Sequence, residues 1–292
     1  RDWIRESAVR DLSNLVFLLL IPALLFRTMS GVHVETLDLR PLAAYFPAAL
    51  LLLIVSIAWR GFNRSSVVMA LAGVFSNMVM IGITLVGLAY GQAGLVTLLT
   101  LVSVHALILL TLGSVVLELA VAREARAGGQ RAPHVLETAW SAFKGALIHP
   151  IPLPILCGLL YAQTGWGLPA VVDKPLQLLG SAFGPISLVL VGVTLARTPL
   201  GGHLREALWI AASKNLVLPV LVAASCWLAG IQGLQFTVMV VAAALPVGAN
   251  VFLFAQRYEV DQELTTASMG LSTILAMGTL SLVMALTGLV QT

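Results

Sequence analysis

Two long apolar stretches of this chain contain polar side chains and helix-breaking residues near their centres. They cover residues 66–90 and 234–258. An amide side chain can donate a hydrogen bond to a carboxylate, and its oxygen can interact with a cation. An interrupted helix offers free N–H and C=O groups to a ligand. These stretches therefore predict a site that binds a small solute. The candidate binding residues are Ser76, Asn77, Pro246, Gly248, Ala249 and Asn250.

Two ionisable side chains lie deep within other apolar stretches. Lys214 is about ten residues from the nearer end of its stretch, and His105 is midway along another. A charge at the centre of a bilayer costs at least about 2.5 kcal/mol without a partner, so such a residue predicts a function. Lys214 either attracts an anionic ligand or supports an interrupted helix. His105 either handles a proton or bonds a backbone carbonyl.

The sequence carries no signature of an enzyme. It has no H-E-x-x-H, no G-x-S-x-G and no acidic cluster suited to Mg²⁺. Cys157 and Cys226 fall within apolar stretches and lack metal-binding or redox spacing. We therefore predict no catalytic residue, no metal and no cofactor. Nucleic acid is not predicted as a partner, because the basic residues lie in short loops where they set membrane topology.

The composition predicts an all-α integral membrane protein in a lipid bilayer. Apolar residues make up 59% of the chain, charged residues 10%, and the mean hydropathy is +0.98. Each of nine apolar stretches is near the roughly 20 residues that a transmembrane helix needs. The predicted spans are 12–28, 41–59, 66–90, 93–119, 147–164, 175–197, 204–228, 234–258 and 264–289.

The two interrupted spans indicate an internal repeat. They are five spans apart, and a unit of five helices reverses its direction in the membrane, so we predict two inverted repeats. Residues 1–120 form the first repeat, 121–146 a short cytoplasmic linker and 147–292 the second repeat. The pairing leaves one helix without a counterpart, so we infer that the first of ten helices is missing before residue 1.

The distribution of basic residues predicts the orientation. Of 16 Lys and Arg residues, twelve fall on one side of the predicted membrane, three on the other, and Lys214 lies within a span. The positive-inside rule makes the first side cytoplasmic. The start of this chain is then inside the cell and its C-terminus outside. Glu118 is the one acidic residue within a predicted span. Proton and sodium symporters commonly keep a carboxylate near the midplane of the membrane, so this pattern favours a simple uniporter over a symporter. Sodium held by carbonyl and Asn groups stays open as an alternative.

Six segments of the chain resemble the auxin efflux carrier family of permeases, including its bacterial malonate-type carriers. In order they are NLVFLLLIPALLFRT, FSNMVMIGITL, HPIPLPILCGLL, LGSAFGPISLVLVGVTL, KNLVLP and ALPVGANVFLFAQRY. The resemblance implies the PIN-like fold, similar to bile-acid/sodium symporters, with inverted five-helix repeats and two broken crossover helices. It assigns 12–28, 147–164 and 175–197 to a scaffold, and 41–119 and 204–289 to a transport domain. Thr84 departs from the family, which usually has proline at that position.

The resemblance implies a secondary transporter of small organic anions in the bacterial inner membrane, working by alternating access where the broken helices cross. Malonate-like dicarboxylates and auxin-like aromatic acids are both open as substrates, and a homodimer through the scaffold helices is a further expectation. Two alternatives stay open: a ligand sensor that keeps the fold without transport, and a sodium-coupled symporter. An intramembrane enzyme is disfavoured by the missing motifs.

Overall fold

The computed structural model describes residues 5–32, 38–127, 140, 152–197 and 203–289. Most of the predicted linker, and the predicted start of the span 147–164, lie outside these residues. The chain divides into two compact units. The first comprises Arg1–Asp38, Val79–Ala106 and Ala146–Arg197; the second comprises Leu39–Met78, Leu107–Gly145 and Thr198–Thr292.

The described residues are helical apart from turns and short extended segments. Numbered in chain order, the helices are α1 (Glu6–Leu15, continued by a π-helical turn at Val16–Leu20 and by Ile21–Met29), α2 (Arg40–Arg60), α3 (Arg64–Val74), α4 (Ile83–Ala127, entered through a π-helical turn at Met78–Gly82), α5 (Pro152–Ala162), α6 (Ala170–Arg197), α7 (Leu204–Ala212, continued by a π-helical turn at Ser213–Val217 and by Leu218–Leu228), α8 (Gly233–Ala244), α9 (Asn250–Arg257) and α10 (Gln262–Leu289).

Among the described residues, five helical runs are long and apolar enough to cross a membrane. They are Ser7–Met29, Arg40–Arg60, Met78–Ala127, Leu204–Leu228 and Gln262–Gly288. The prediction of an all-α membrane protein is therefore confirmed. The number of spans and the inverted repeat stay predictions.

Prolines explain two of the π-helical turns. The turn Val16–Leu20 ends two residues before Pro22, and the turn Ser213–Val217 ends two residues before Pro219. Proline has no N–H to continue the α-helical ladder. The ladder is instead closed by longer π-type bonds, such as that from the Leu218 N–H to the Ser213 carbonyl.

Gly91 separates two helices within α4. Its φ of 61° and ψ of −156° lie outside the helical region, and glycine adopts such a conformation without the steric cost that a Cβ atom would bring. The kink falls between the predicted spans 66–90 and 93–119, so this boundary was readable from the sequence.

In the first unit, α1 packs against α5 and α6 through two glycines. A Cβ atom at Gly158 would lie 2.7 Å from the Phe26 carbonyl oxygen, and one at Gly180 would lie 3.3 Å from Leu24. Small residues allow helices in membranes to approach this closely.

The second unit is built around α8, which packs against α7 and α10. The residues of α8 from Thr237 to Ala244 are all buried. A helix that is apolar on every side belongs inside a protein.

The ends of α1 and α6 are joined by an ion pair. Arg27 Nε lies 2.6 Å from Asp173 Oδ1, and Arg27 Nη2 donates to Asp173 Oδ2 at 3.1 Å. These hydrogen bonds from the guanidinium hold the pKa of the Asp173 carboxyl below its usual value.

Candidate functional site

The helices α3 and α8 both stop inside the second unit, and the extended residues that follow them meet. Ser76 and Val247 lie opposite each other in an isolated antiparallel bridge. The Asn77 N–H donates to the Pro246 carbonyl at 2.8 Å. The Gly248 N–H donates to the carbonyl of Phe75, also at 2.8 Å. The two predicted interruptions are therefore joined by a matched pair of backbone hydrogen bonds, and we call this joint the crossing.

Proline and glycine explain why the second helix stops where it does. Pro246 disfavours helical geometry in the residue before it, and Leu245 is accordingly extended, with φ −59° and ψ 150°. A Cβ atom at Gly248 would lie 3.0 Å from the Ser76 carbonyl oxygen and 3.1 Å from the Phe75 ring. Glycine at this position lets the two backbones approach to hydrogen-bonding distance.

The chain becomes helical again directly after the crossing. Asn250 is the first residue of α9 and its side chain is half-buried, as is that of Asn77. Within the described residues, no hydrogen bond uses the N–H of Ala249 or of Asn250, or the side-chain amide of Asn250. These groups leave several donors at a positive helix end, which is the arrangement that binds an anion.

Lys214 supports the end of α8. The residue is completely buried. Its Nζ donates to the carbonyl oxygens of Ala243 and Leu245, both at 2.5 Å. The last carbonyls of a helix have no partner within the helix, and here a side chain of α7 supplies one. The contact is the one expected of a supporting lysine, and attraction of the anion stays a prediction.

Asn215, which the sequence reasoning missed, completes the support of the second break together with Ser272. Asn215 follows Lys214 directly in the π-helical turn of α7, and Ser272 lies on α10. Both are fully buried, and Ser272 accepts a hydrogen bond from the Val247 N–H at 3.0 Å. The signal in the sequence was the polar pair Lys-Asn, followed closely by a proline, within an apolar span.

His105 is buried in α4 and belongs to the first unit. Its proton-handling role stays a prediction. None of the described residues forms a group of His, Cys, Asp and Glu side chains that could hold a metal ion.

Elsewhere in the second unit, polar contacts join α3, α4 and the residue that follows α9. The N–H and Nε groups of Arg64 donate to the carboxylate of Glu124 at 2.9 and 2.6 Å. The Tyr258 hydroxyl donates to Glu118 at 3.0 Å. Glu118, the acidic residue predicted within a span, is therefore engaged by a tyrosine that follows α9.

Comparison with known proteins agrees with a carrier. The family model described as "Membrane transport protein" matches residues 2–284. A protein of Rhizobium meliloti (strain 1021) named "Putative malonate transporter" is 27% identical over 282 residues, which cover 94% of this chain and 86% of that protein.

Two more distant relatives match shorter segments. "Auxin efflux carrier component 8" of Arabidopsis thaliana is 25% identical over 168 residues, covering 56% of this chain and 44% of the relative. An "Uncharacterized transporter" of Methanothermobacter thermautotrophicus is 26% identical over 140 residues, covering 48% and 46%. The predicted resemblance to auxin efflux carriers is confirmed by these matches, and the family consists of transporters rather than enzymes.

Proposed function

Because this chain belongs to the membrane transport protein family, we propose that it is a secondary transporter of small organic anions. The observation that carries the proposal is the crossing of the two extended segments, with unused N–H groups at Ala249 and Asn250 beside it. A carboxylate accepts hydrogen bonds and carries the charge that the N-terminal end of α9 attracts. The substrate class is therefore a carboxylate.

The proposed binding residues surround the crossing. The amides of Asn77 and Asn250 donate to the carboxylate, together with the free N–H groups of Ala249 and Asn250. Ser76, Pro246 and Gly248 contribute backbone geometry. Lys214 holds the carbonyl end of α8, so that the negative end of one half-helix is neutralised while the positive end of the next faces the anion.

Movement of the anion follows from alternating access. Broken helices place a binding site near the midplane of a membrane, and rocking of a transport domain exposes that site to each side in turn. The proposed scaffold helices are 12–28, 147–164 and 175–197, and the proposed transport helices are 41–119 and 204–289, in two inverted repeats. The proposed location is a bacterial inner membrane, with the start of this chain inside and its C-terminus outside.

Flux through reconstituted protein tests the proposal. Purified protein in liposomes is expected to take up malonate-like dicarboxylates or aromatic carboxylates with saturation kinetics. Imposing pH and sodium gradients separately shows whether either drives uptake. Saturable binding without uptake would indicate a ligand sensor instead. Neither binding nor uptake across the whole carboxylate panel would reject an organic-anion carrier.

A further inference from the structure

Two buried side chains tie α7 and α10 to the backbone of the crossing. The Ser272 hydroxyl donates to Asn215 Oδ1 at 2.5 Å and accepts from the Val247 N–H at 3.0 Å. Asn215 Nδ2 donates to the carbonyl oxygens of Ser272, at 3.2 Å, and of Ala244, at 3.4 Å. We call Asn215 and Ser272 the clamp.

Each proton in the clamp has a defined place. The Asn215 amide nitrogen faces two carbonyls, so the amide oxygen must face Ser272. The Ser272 hydroxyl has one proton, which goes to that oxygen, and its lone pairs are then left for the Val247 N–H. Because the Ser272 hydroxyl proton is engaged in a hydrogen bond to Asn215 Oδ1, Ser272 acts as an acceptor toward the crossing. Polar networks that are fully satisfied in this way rigidify a buried site.

The clamp provides a hydrogen bond that the crossing itself does not. The N–H groups joining the two segments are those of Asn77 and Gly248. The Val247 N–H is bound by Ser272 instead. A buried N–H without a partner is strongly disfavoured. Without Ser272, the residue between Pro246 and Gly248 would have to turn to find another acceptor.

Val247 is close enough along the chain to affect the donors of the anion site. The free N–H groups belong to Ala249 and Asn250, two and three residues further on. A rotation of the backbone at Val247 changes the direction of both N–H groups, and a site loses affinity when its donors are no longer preorganised. Within the part of the chain that the structure describes, the side chains of Asn215 and Ser272 bond only each other and backbone groups of α8, α10 and the crossing.

We propose that Asn215 and Ser272 are positioning residues, which orient the N–H groups of Ala249 and Asn250 toward the transported anion without contacting it. The inference rests on the proposed function and extends it to α7 and α10. The π-helical turn at Ser213–Val217 places two consecutive side chains, Lys214 and Asn215, against the end of α8.

The chain offers a matched pair of serines to test the clamp. Ser268 and Ser272 are both fully buried on α10, one turn apart. The Ser268 hydroxyl bonds the Leu264 carbonyl of its own helix at 2.7 Å. Ser272→Ala and Ser268→Ala therefore remove the same group from equally buried places, but only the first releases the crossing. Ser272→Thr keeps the hydroxyl.

Uptake of malonate and of indole-3-acetate by the full chain in liposomes is the first measurement. Ser272→Ala is expected to raise KM at least tenfold while the maximal rate stays within about twofold. Ser268→Ala is expected to leave KM unchanged, and Ser272→Thr to restore it. Should Ser272→Ala fail to fold, Asn215→Ala, which frees the hydroxyl proton, is expected to raise KM in the same direction. Equal KM values for the two Ser→Ala variants would overturn the inference.

Hydrogen–deuterium exchange separates this inference from the proposed function. Peptides covering Leu245–Asn250 are expected to exchange faster in Ser272→Ala than in the wild type, and at the wild-type rate in Ser268→Ala. Unchanged exchange in Ser272→Ala would overturn the clamp even if the wild-type protein transported both acids. If the wild-type protein neither binds nor moves either acid, the proposed function has failed for these acids, and the exchange rates alone decide the clamp.

Discussion

Ser76 and Val247, 171 positions apart in the sequence, lie opposite each other where two broken helices meet. The hydrogen bonds on either side of this pair are equivalent: each runs from the residue after one partner to the residue before the other, and both measure 2.8 Å. This is the pattern of a non-hydrogen-bonded antiparallel pair, and it joins the two interruptions at the site where the anion is expected.

Removing either asparagine amide is expected to weaken anion binding. A hydrogen bond to a charged group contributes about 1.5–3 kcal/mol, so Asn77→Ala and Asn250→Ala should each raise the dissociation constant roughly tenfold or more. Gln256→Ala, an exposed amide on the same half-helix as Asn250, is the control and should bind normally. Calorimetric titration of purified protein measures this. Unchanged affinity in both asparagine variants would place the anion elsewhere.

Lys214→Met is expected to destabilise the protein. The change keeps the apolar part of the side chain but leaves the carbonyls of Ala243 and Leu245 without their donor, at about 1–3 kcal/mol for each buried group. Thermal unfolding in detergent should shift to lower temperature. Lys174→Met removes an exposed lysine and should change stability by less than about 0.5 kcal/mol. A Lys214→Met protein that melts normally yet fails to transport would favour anion attraction instead.

Gly248→Ala is expected to disturb the crossing. The added Cβ atom would press on the Ser76 carbonyl at 3.0 Å, and overpacking of this kind costs about 1–3 kcal/mol. The variant should melt several degrees lower and lose anion affinity. At Gly278 on α10 a Cβ atom meets nothing within 4 Å, so Gly278→Ala should be neutral or stabilising. Equal melting temperatures for the two variants would contradict the close approach at Gly248.

Thr84 occupies the place where a proline follows the other two π-helical turns. The turn Met78–Gly82 ends two residues before it, and the Thr84 and Ser187 hydroxyls are 3.2 Å apart. Thr84→Pro should therefore fit the backbone, because the π-helical turn already stands before this position. Thr84→Val, which removes the same hydroxyl, is the matched comparison, and both should melt at similar temperatures. A much less stable proline variant would show that the Thr84 N–H is needed.

The Arg27–Asp173 ion pair predicts a pH-dependent contribution to stability. The pKa of Asp173 is lowered in the folded protein, so the contribution is present above the unfolded pKa of about 4 and is lost as the pH falls through the lower folded value. Asp173→Asn should reduce the melting temperature at pH 7, with a difference from wild type that shrinks in acid. Glu206→Gln, an exposed carboxylate on α7, should show no such trend.

The sequence was sufficient for the all-helical class and for the positions of the two breaks. Long apolar runs predict helices because the bilayer requires about 20 residues. Pro246 and Gly248 predict an interruption because one lacks a donor and the other lacks a side chain. Gly91 and Trp59 similarly lie where predicted spans end.

The sequence was not sufficient for the partners of the breaks. Ser272 looks like many membrane serines, which bond their own helix as Ser268 does. Its contact with Val247 depends on how α10 packs against α8, which no local pattern encodes. Lys214 was ambiguous for the same reason, because its depth was readable but its neighbours were not.

Both hydrogen bonds of the crossing join main-chain atoms only. A hydrogen bond from the Asn77 N–H to the Pro246 carbonyl does not depend on which side chain residue 77 bears. Mutations at positions flanking the joint can therefore exchange one cargo for another while the architecture persists.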